Sequence, residues 1–307
     1  MGFKVYLAKP RGFCAGVERA IKILDLALKK FGSPIYVRHA IVHNEKVVKE
    51  FEEMGAVFVE NIGEVPEGSV LIFSAHGVSP EVRKKAKEKN LKVIDATCPL
   101  VTKVHLKARY FAKNGYTIFL IGHKNHIEVE GTMGEAPDKT VLIENKEDLE
   151  KLKGKNFEKI AILTQTTLSV DDTREIISEI QKKFKNVLKP RADDICYATQ
   201  NRQDAVKKIA PFVDIFLIIG SKTSSNSNRL KEIAEKYGTK SYLINDKDEI
   251  PREELKDVKA IGVTSGASTP ERLVKDIIRE LKDMGAEEVI EIEGTEENIK
   301  FQLPEEI

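Results

Sequence analysis

Three times along this 307-residue chain, a short apolar run gives way to a loop holding one cysteine and then to an amphipathic helical pattern. KVYLA leads to Cys14 and AGVERAIKILDLALKKFG. KVIDA leads to Cys98 and PLVTKVHLKARYFAKNG. VLKPRADDI leads to Cys196 and TQNRQDAVKKIA. Strands alternating with helices build βαβ units and parallel sheets. Ligands of such sheets bind beyond the carboxyl ends of the strands. The chain has 3 cysteines in all, 84 and 98 residues apart, and an odd, widely spaced set does not read as a disulfide framework. The pattern predicts an α/β fold of three pseudo-repeated units, each bringing one thiol to a common point.

The spacing of the loops supports the repeat. A polar loop follows a second strand in each unit, at His43, His126 and Ser224, which lie 29, 28 and 28 residues past their cysteines. A third set of loops holds His76, Thr166 and Ser268. Helix-start signals follow: Ser79 before Pro80, Ser169 with Asp172 in an S-x-x-D box, and Thr269 before Pro270. In the first helix, Val17, Ile21, Leu24, Leu28 and Phe31 keep helical spacing, and Gly32 and Pro34 end it. The expected units are residues 1–97, 98–195 and 196–281. Residues 282–307 form a strand (EEVIEIEG) and a tail that folds back.

Charge is balanced, 50 Lys and Arg against 49 Asp and Glu, which argues against a nucleic-acid binder driven by bulk charge. No run approaches the roughly 18 apolar residues of a membrane helix. The N-terminal MGFKVYLAKPRG reads as a first strand, not a signal peptide. The expected location is the cytoplasm, where thiols stay reduced and free to ligate metal.

Lone cysteines are commonly small buried hydrophobes. These three instead open helices from polar loops, where the helix N-terminus favours thiolate and metal ligation. Neither C-x-x-C spacing nor a single evident fourth ligand for zinc is present, whereas iron–sulfur clusters accept thiolates from distant loops. His43, His76 and His126 occupy matching loops and suggest a cationic or hydrogen-bonding cage for an anion. His105 falls within a helical run and reads as a partly exposed surface histidine. Ser224, Ser225 and Asn226 stand just before a helix, and Thr166, Thr167 and Ser268 stand in the third loops. Such side chains at helix N-termini bind phosphate oxygens, and they equally serve as ordinary caps. In HIEVEGTMG, an extended conformation would put Glu128 and Glu130 on one side. A carboxyl beside a buried anion would have a raised pKa and act as an acid, the alternative being a solvated acidic loop.

Taken together, GFCAGVERAI, SAHGVS, DATCPLVTKVH, the H-x-E-V-E-G-T-M-G run, TQTTLSVDDT, CYATQNRQ and GSK-x-SSNSNRL resemble the 4-hydroxy-3-methylbut-2-enyl diphosphate reductase family, across residues 3–281. The resemblance implies three α/β units arranged as a trefoil around a central 4Fe-4S cluster. It implies Cys14, Cys98 and Cys196 as ligands of three irons, with the fourth iron open to substrate. His43, His76, His126, Thr166, Ser224, Ser225, Asn226 and Ser268 match substrate-binding positions, with Thr167 beside them. Glu128 matches the proton source, working with Thr166. The implied reaction is reductive dehydroxylation of an allylic diphosphate to isopentenyl and dimethylallyl diphosphate. The implied electron donor is a reduced ferredoxin or flavodoxin, and neither nucleic acid nor membrane is a partner. Ile127 stands where many members have Pro, and Ser265 where Ala is common. An iron–sulfur redox sensor without substrate and a structural zinc protein are the rival readings.

Overall fold

Apolar runs become central strands where both faces of a sheet are covered. Ile160–Thr164 and Ile215–Ile219 are buried at every position, the pattern of parallel strands packed on both sides. The computed structural model describes residues 2–188 and 194–307. Residues 189–193, part of the run expected to lead to Cys196, lie outside the described residues.

The chain begins with β1 (Phe3–Ala8) and α1 (Ala15–Phe31), then β2 (Ile35–Arg38), α2 (Glu45–Glu53), β3 (Ala56–Val59) and β4 (Val70–Phe73). It continues through α3 (Pro80–Glu88), β5 (Lys92–Asp95), α4 (Pro99–Lys113), β6 (Thr117–Ile121) and α5 (Ile127–Gly134). Next come β7 (Thr140–Ile143), α6 (Lys146–Glu150), β8 (Ile160–Thr164), α7 (Val170–Lys183) and β9 (Val187–Leu188). The remainder is α8 (Tyr197–Ile209), β10 (Ile215–Ile219), α9 (Ser225–Lys236), β11 (Lys240–Ile244), β12 (Ala260–Ser265), α10 (Glu271–Asp283) and β13 (Ala286–Ile292).

Three sheets result, with strand orders β3-β2-β4-β5, β7-β6-β8-β9 and β11-β10-β12-β1-β13. All strand pairings among the described residues are parallel. The three orders share one plan, and the strand that leads to a cysteine holds the same position in each. β5 leads to Cys98 and β9 to Cys196, each closing the sheet of the strands before it. β1 leads to Cys14 and takes that position beside β12.

The expected unit 1–97 therefore does not keep its first strand. FKVYLA is buried along most of its length, and so apolar a strand is a poor edge. It gains partners on both sides, β12 and β13. The C-terminal EEVIEIEG run is the β13 edge of that same sheet.

By internal contacts the chain divides into two compact units. One comprises Met1–Val17, His43–Glu45 and Tyr197–Lys300, and the other Glu18–Val42, Lys46–Cys196 and Phe301–Ile307. The first holds the five-stranded sheet, with Val5, Leu217, Ile219, Val263, Ile277 and Leu281 at its core on one face. Val206, Phe216, Ile218 and Leu230 form the core on the other. The second unit holds both four-stranded sheets, with separate cores around Leu71 and Phe73, around Phe119 and Ile162, and around Ile118 and Leu163. Among the described residues no helix is long and apolar enough to cross a membrane.

Helix starts follow the sequence signals with one exception. Ser79 and Ser169 cap α3 and α7, accepting the N–H of Val82 and Asp172. Thr269 does not cap α10; its hydroxyl donates to the Ile219 carbonyl at 2.9 Å, and Pro270 holds the cap position. The buried carbonyl at the end of β10 is the stronger claim on that hydroxyl.

Candidate active site

Each cysteine is pinned by its own backbone to a loop that follows a central strand. The Cys98 N–H donates to Ala75 at 2.9 Å, Cys196 to Thr166 at 3.0 Å, and Cys14 to Ala267 at 3.2 Å. Those carbonyls lie after β4, β8 and β12, the equivalent strands of the three sheets. All three cysteines are thiols outside any disulfide and partly buried, and each immediately precedes a helix. Burial, the largest influence, pushes the Cys14 thiol up. The nearby Arg202 charge and the N–H groups of Val17 and Gly16 pull it the other way. Among the described residues, no three His, Cys, Asp or Glu side chains gather closely enough for a single metal ion.

In the unit that carries Cys98 and Cys196, a continuous run of contacts joins the two cysteine loops. Ala75, which holds Cys98, precedes His76. The His76 and His126 rings meet edge to face, 6.4 Å between centroids. His126 caps α5, its Nδ1 accepting the Glu128 N–H at 3.2 Å, which leaves the proton of the neutral ring on Nε2. The Glu128 carboxylate accepts the Thr166 N–H at 2.6 Å and the Thr166 hydroxyl at 2.9 Å. Thr166 in turn offers its carbonyl to Cys196.

Glu128 is 3% exposed. Burial pushes its pKa up to about 7, against the two Thr166 bonds, which lower it, with a smaller upward push from Asp194. Near neutral pH the group is therefore poised between acid and carboxylate, as a general acid requires. Gln165 braces the loop: its Oε1 accepts the His123 N–H and its Nε2 donates to the Thr167 hydroxyl.

Two sequence readings differ from the structure here. HIEVEGTM is helical, not extended. Residues two apart on a helix diverge, so Glu128 is buried while Glu130 is exposed. His105 is not a surface residue; it is 3% exposed, with Nδ1 3.0 Å from Glu135 Oε1. Its ring occupies space that two glycines leave open. A Cβ on Gly77 or Gly131 would come within 3.0 or 3.2 Å of His105 Cε1, and Gly77 also sits at φ +79°. The Glu128 helix and the His76 loop thus both close on one imidazole.

The unit that carries Cys14 has a matching arrangement. Ala267, which holds Cys14, precedes Ser268, whose hydroxyl donates to the His43 carbonyl at 2.9 Å. Ser265 Oγ accepts the Gly12 N–H at 2.8 Å, so this serine ties down the Cys14 loop. Ser224 caps α9 by accepting the Ser227 N–H at 3.3 Å. Ser225 opens the helix, half-buried. Asn226 is 4% exposed, and neither its Oδ1 nor its Nδ2 has a hydrogen-bond partner among the described residues. Leaving such a group buried costs about 1–3 kcal/mol, which a polar ligand would return. Gly266 allows the close approach: a Cβ there would lie 2.1 Å from Ser227 Oγ and 3.5 Å from Asn226 Nδ2.

A family model described as LytB protein matches residues 5–282. The chain belongs to that family. A protein of Aeromonas salmonicida (strain A449) named 4-hydroxy-3-methylbut-2-enyl diphosphate reductase is 53% identical over 306 residues, covering 99% of this chain and 98% of its own. A protein of the same name from Escherichia coli (strain K12 / DH10B) is 52% identical over 307 residues, covering 99% and 97%. Among solved structures, the E-1-hydroxy-2-methyl-but-2-enyl-4-diphosphate reductase from Plasmodium falciparum is similar with a TM-score of 0.97 at 42% identity, over 100% of this chain and 97% of that one. A second, described as (E)-4-hydroxy-3-methyl-but-2-enyl diphosphate reductase, the terminal enzyme of the non-mevalonate pathway, gives 0.65 at 36% identity over 92% and 100%.

Within this LytB-family chain, the residues singled out from sequence fall into the two sets just described. Cys98, Cys196, His76, His126, Glu128, Thr166 and Thr167 occupy one unit, and Cys14, His43, Ser224, Ser225, Asn226 and Ser268 the other. Sequence reasoning missed Gln165 and Arg202. Both stand inside quoted motifs, TQTTLS and CYATQNRQ, where a long polar residue next to a cysteine loop was the available signal.

Proposed function

We propose that this LytB-family chain reductively removes the allylic hydroxyl of 4-hydroxy-3-methylbut-2-enyl diphosphate, giving isopentenyl and dimethylallyl diphosphate. The observation that carries this reading is Glu128: a buried carboxyl, poised near neutrality, held by Thr166 and one residue removed from Cys196. Two electrons and two protons convert the alcohol to an alkene and water. The donor set fits an iron–sulfur cluster, since three thiols outside any disulfide each stand at a helix start and each is pinned by its backbone. A 4Fe-4S cluster on Cys14, Cys98 and Cys196, with one iron lacking a protein ligand, would supply the electrons and a Lewis acid for the leaving hydroxyl. A reduced ferredoxin or flavodoxin would feed it.

The chain's own residues do the rest. With Glu128 protonated, the Thr166 hydroxyl turns from donor to acceptor toward it and presents its own proton onward, a relay that makes water the leaving group. The anionic diphosphate is taken by His43, His76 and His126, by Ser224, Ser225 and Ser268, and by the Asn226 amide, with the α9 N-terminus contributing its N–H groups. Thr167 steadies the Thr166 loop through Gln165. These contacts position the carbon chain and exclude water.

The test is an anaerobic assay with the allylic diphosphate and a reduced one-electron donor, alongside iron and inorganic sulfide analysis. Formation of both five-carbon diphosphates by a protein containing iron and sulfide is the expected result. Iron and sulfide without turnover would leave a redox sensor, and zinc alone a structural site; either overturns the proposal.

A further inference from the structure

The largest fully buried side chain in the described molecule is charged. Arg202, on α8, is 0% exposed. Its Nη1 donates to the Ala198 carbonyl at 3.0 Å and to Glu297 Oε1 and Oε2 at 2.9 and 3.2 Å. Its Nη2 donates at 2.8 Å to the carbonyl of Gly12, two residues before Cys14. Asn201 adds a second donor to Glu297 Oε1 at 3.0 Å. The Arg202 Nε–H has no partner among the described residues. A buried ion pair is a poor way to gain stability, because desolvation offsets most of the attraction. Packing explains neither why a guanidinium fills this position nor why the tail returns a carboxylate to meet it.

Charge explains both. Arg202 reaches the backbone of the Cys14 loop at Gly12, and Glu297 meets the same guanidinium from the tail, so a positive and a negative group stand together beside that loop. We propose that the Arg202–Glu297 pair sets the reduction potential of the cluster that Cys14 helps to hold, with Arg202 favouring the reduced state and Glu297 moderating it. This rests on the iron–sulfur reading above. In a poorly solvated environment, a fixed positive charge beside thiolates stabilises the added electron, and a fixed negative charge opposes it. The carboxylate comes from the C-terminal tail, so docking of that tail is coupled to the electron affinity of the site.

The experiment is an anaerobic potentiometric titration of the reconstituted holoenzyme, followed by visible absorbance and electron paramagnetic resonance. Arg202→Gln is expected to move the potential to more negative values, and Glu297→Gln to less negative values. Arg202→Lys keeps the charge and is expected to stay near wild type. Opposite shifts from two neighbouring neutralisations are not what a purely structural lesion produces. Shifts of the same sign, or no shift with full iron content, overturn the proposal. Should Arg202→Gln fail to hold iron, the Glu297→Gln and Arg202→Lys pair decides by the same criteria. A wild-type protein that takes up no iron and sulfide overturns the site reading itself, and this inference with it.

Discussion

The starts of α5 and α9 are equivalent places in two sheets, and they are built to opposite rules. Each follows an interior strand, β6 or β10, and each opens on a capped turn. At α5 the buried polar group is Glu128, with both oxygens already held by Thr166. At α9 the buried polar group is Asn226, whose amide finds no partner among the described residues. A group that must move a proton has to be oriented before substrate arrives, so its bonds come from the protein. A group that must grip an anion has to keep its bonds for the ligand, and the fold bears the cost meanwhile.

The largest effect should come from breaking the first of these. Glu128→Gln keeps the shape and both acceptor contacts in part, but removes the proton. Turnover should fall by about 10²–10⁴, with substrate affinity and iron content near wild type. Wild-type-like turnover would end the proton-donor assignment.

The same carboxyl gives a pH signature. In the proposed relay the acid form is the working form, and it persists up to about pH 7 because burial has raised the group. The rate should therefore decline as pH rises through about 7, roughly tenfold per unit at the limit. The Thr166 hydroxyl bond lowers this pKa. Thr166→Val should then move the alkaline limb to higher pH by about one unit, while slowing the reaction at every pH. A limb that stays in place would separate the pH dependence from Glu128.

At α9 the expected pattern inverts. Asn226→Ala should weaken substrate or diphosphate binding by about 10- to 100-fold, the loss of one or two bonds to a charged group. The substrate-free protein should be no less stable, because the removed amide was unsatisfied. A clear drop in melting temperature without ligand would mean that the amide is structural after all.

How much of this was legible in the sequence depended on scale. The three sheets and their loops could be read because parallel strands and helices each leave a period in the chain, and the cysteines fix the phase. The closing of the cycle could not: β1 joins β12, some 250 residues away in sequence, and nothing local in FKVYLA names its partner. At HIEVEG the alternation of acidic and apolar residues left an extended run or a loop open, and the segment is neither. It is helical, with His126 as its cap and Gly131 seated close against His105. Residue chemistry named Glu128 and Glu130 together, and only the resemblance to the reductase family singled out Glu128. Arg202 was not found, since its role depends on Glu297, 95 residues later.

The smallest prediction isolates capping from binding at the same helix start. Ser224 both caps α9 and belongs to the proposed diphosphate site, and the two roles leave different traces. Its hydroxyl oxygen accepts the Ser227 N–H at 3.3 Å, so Ser224→Ala should cost about 1 kcal/mol of stability with no ligand present. Asn226→Ala should cost none. If Ser224 also touches the anion, stabilisation by added diphosphate should shrink in Ser224→Ala beyond the capping loss. If it does not, the two melting curves should differ by a constant offset at every diphosphate concentration. A constant offset would confine Ser224 to its cap and leave Asn226 as the group on that turn kept in reserve for substrate.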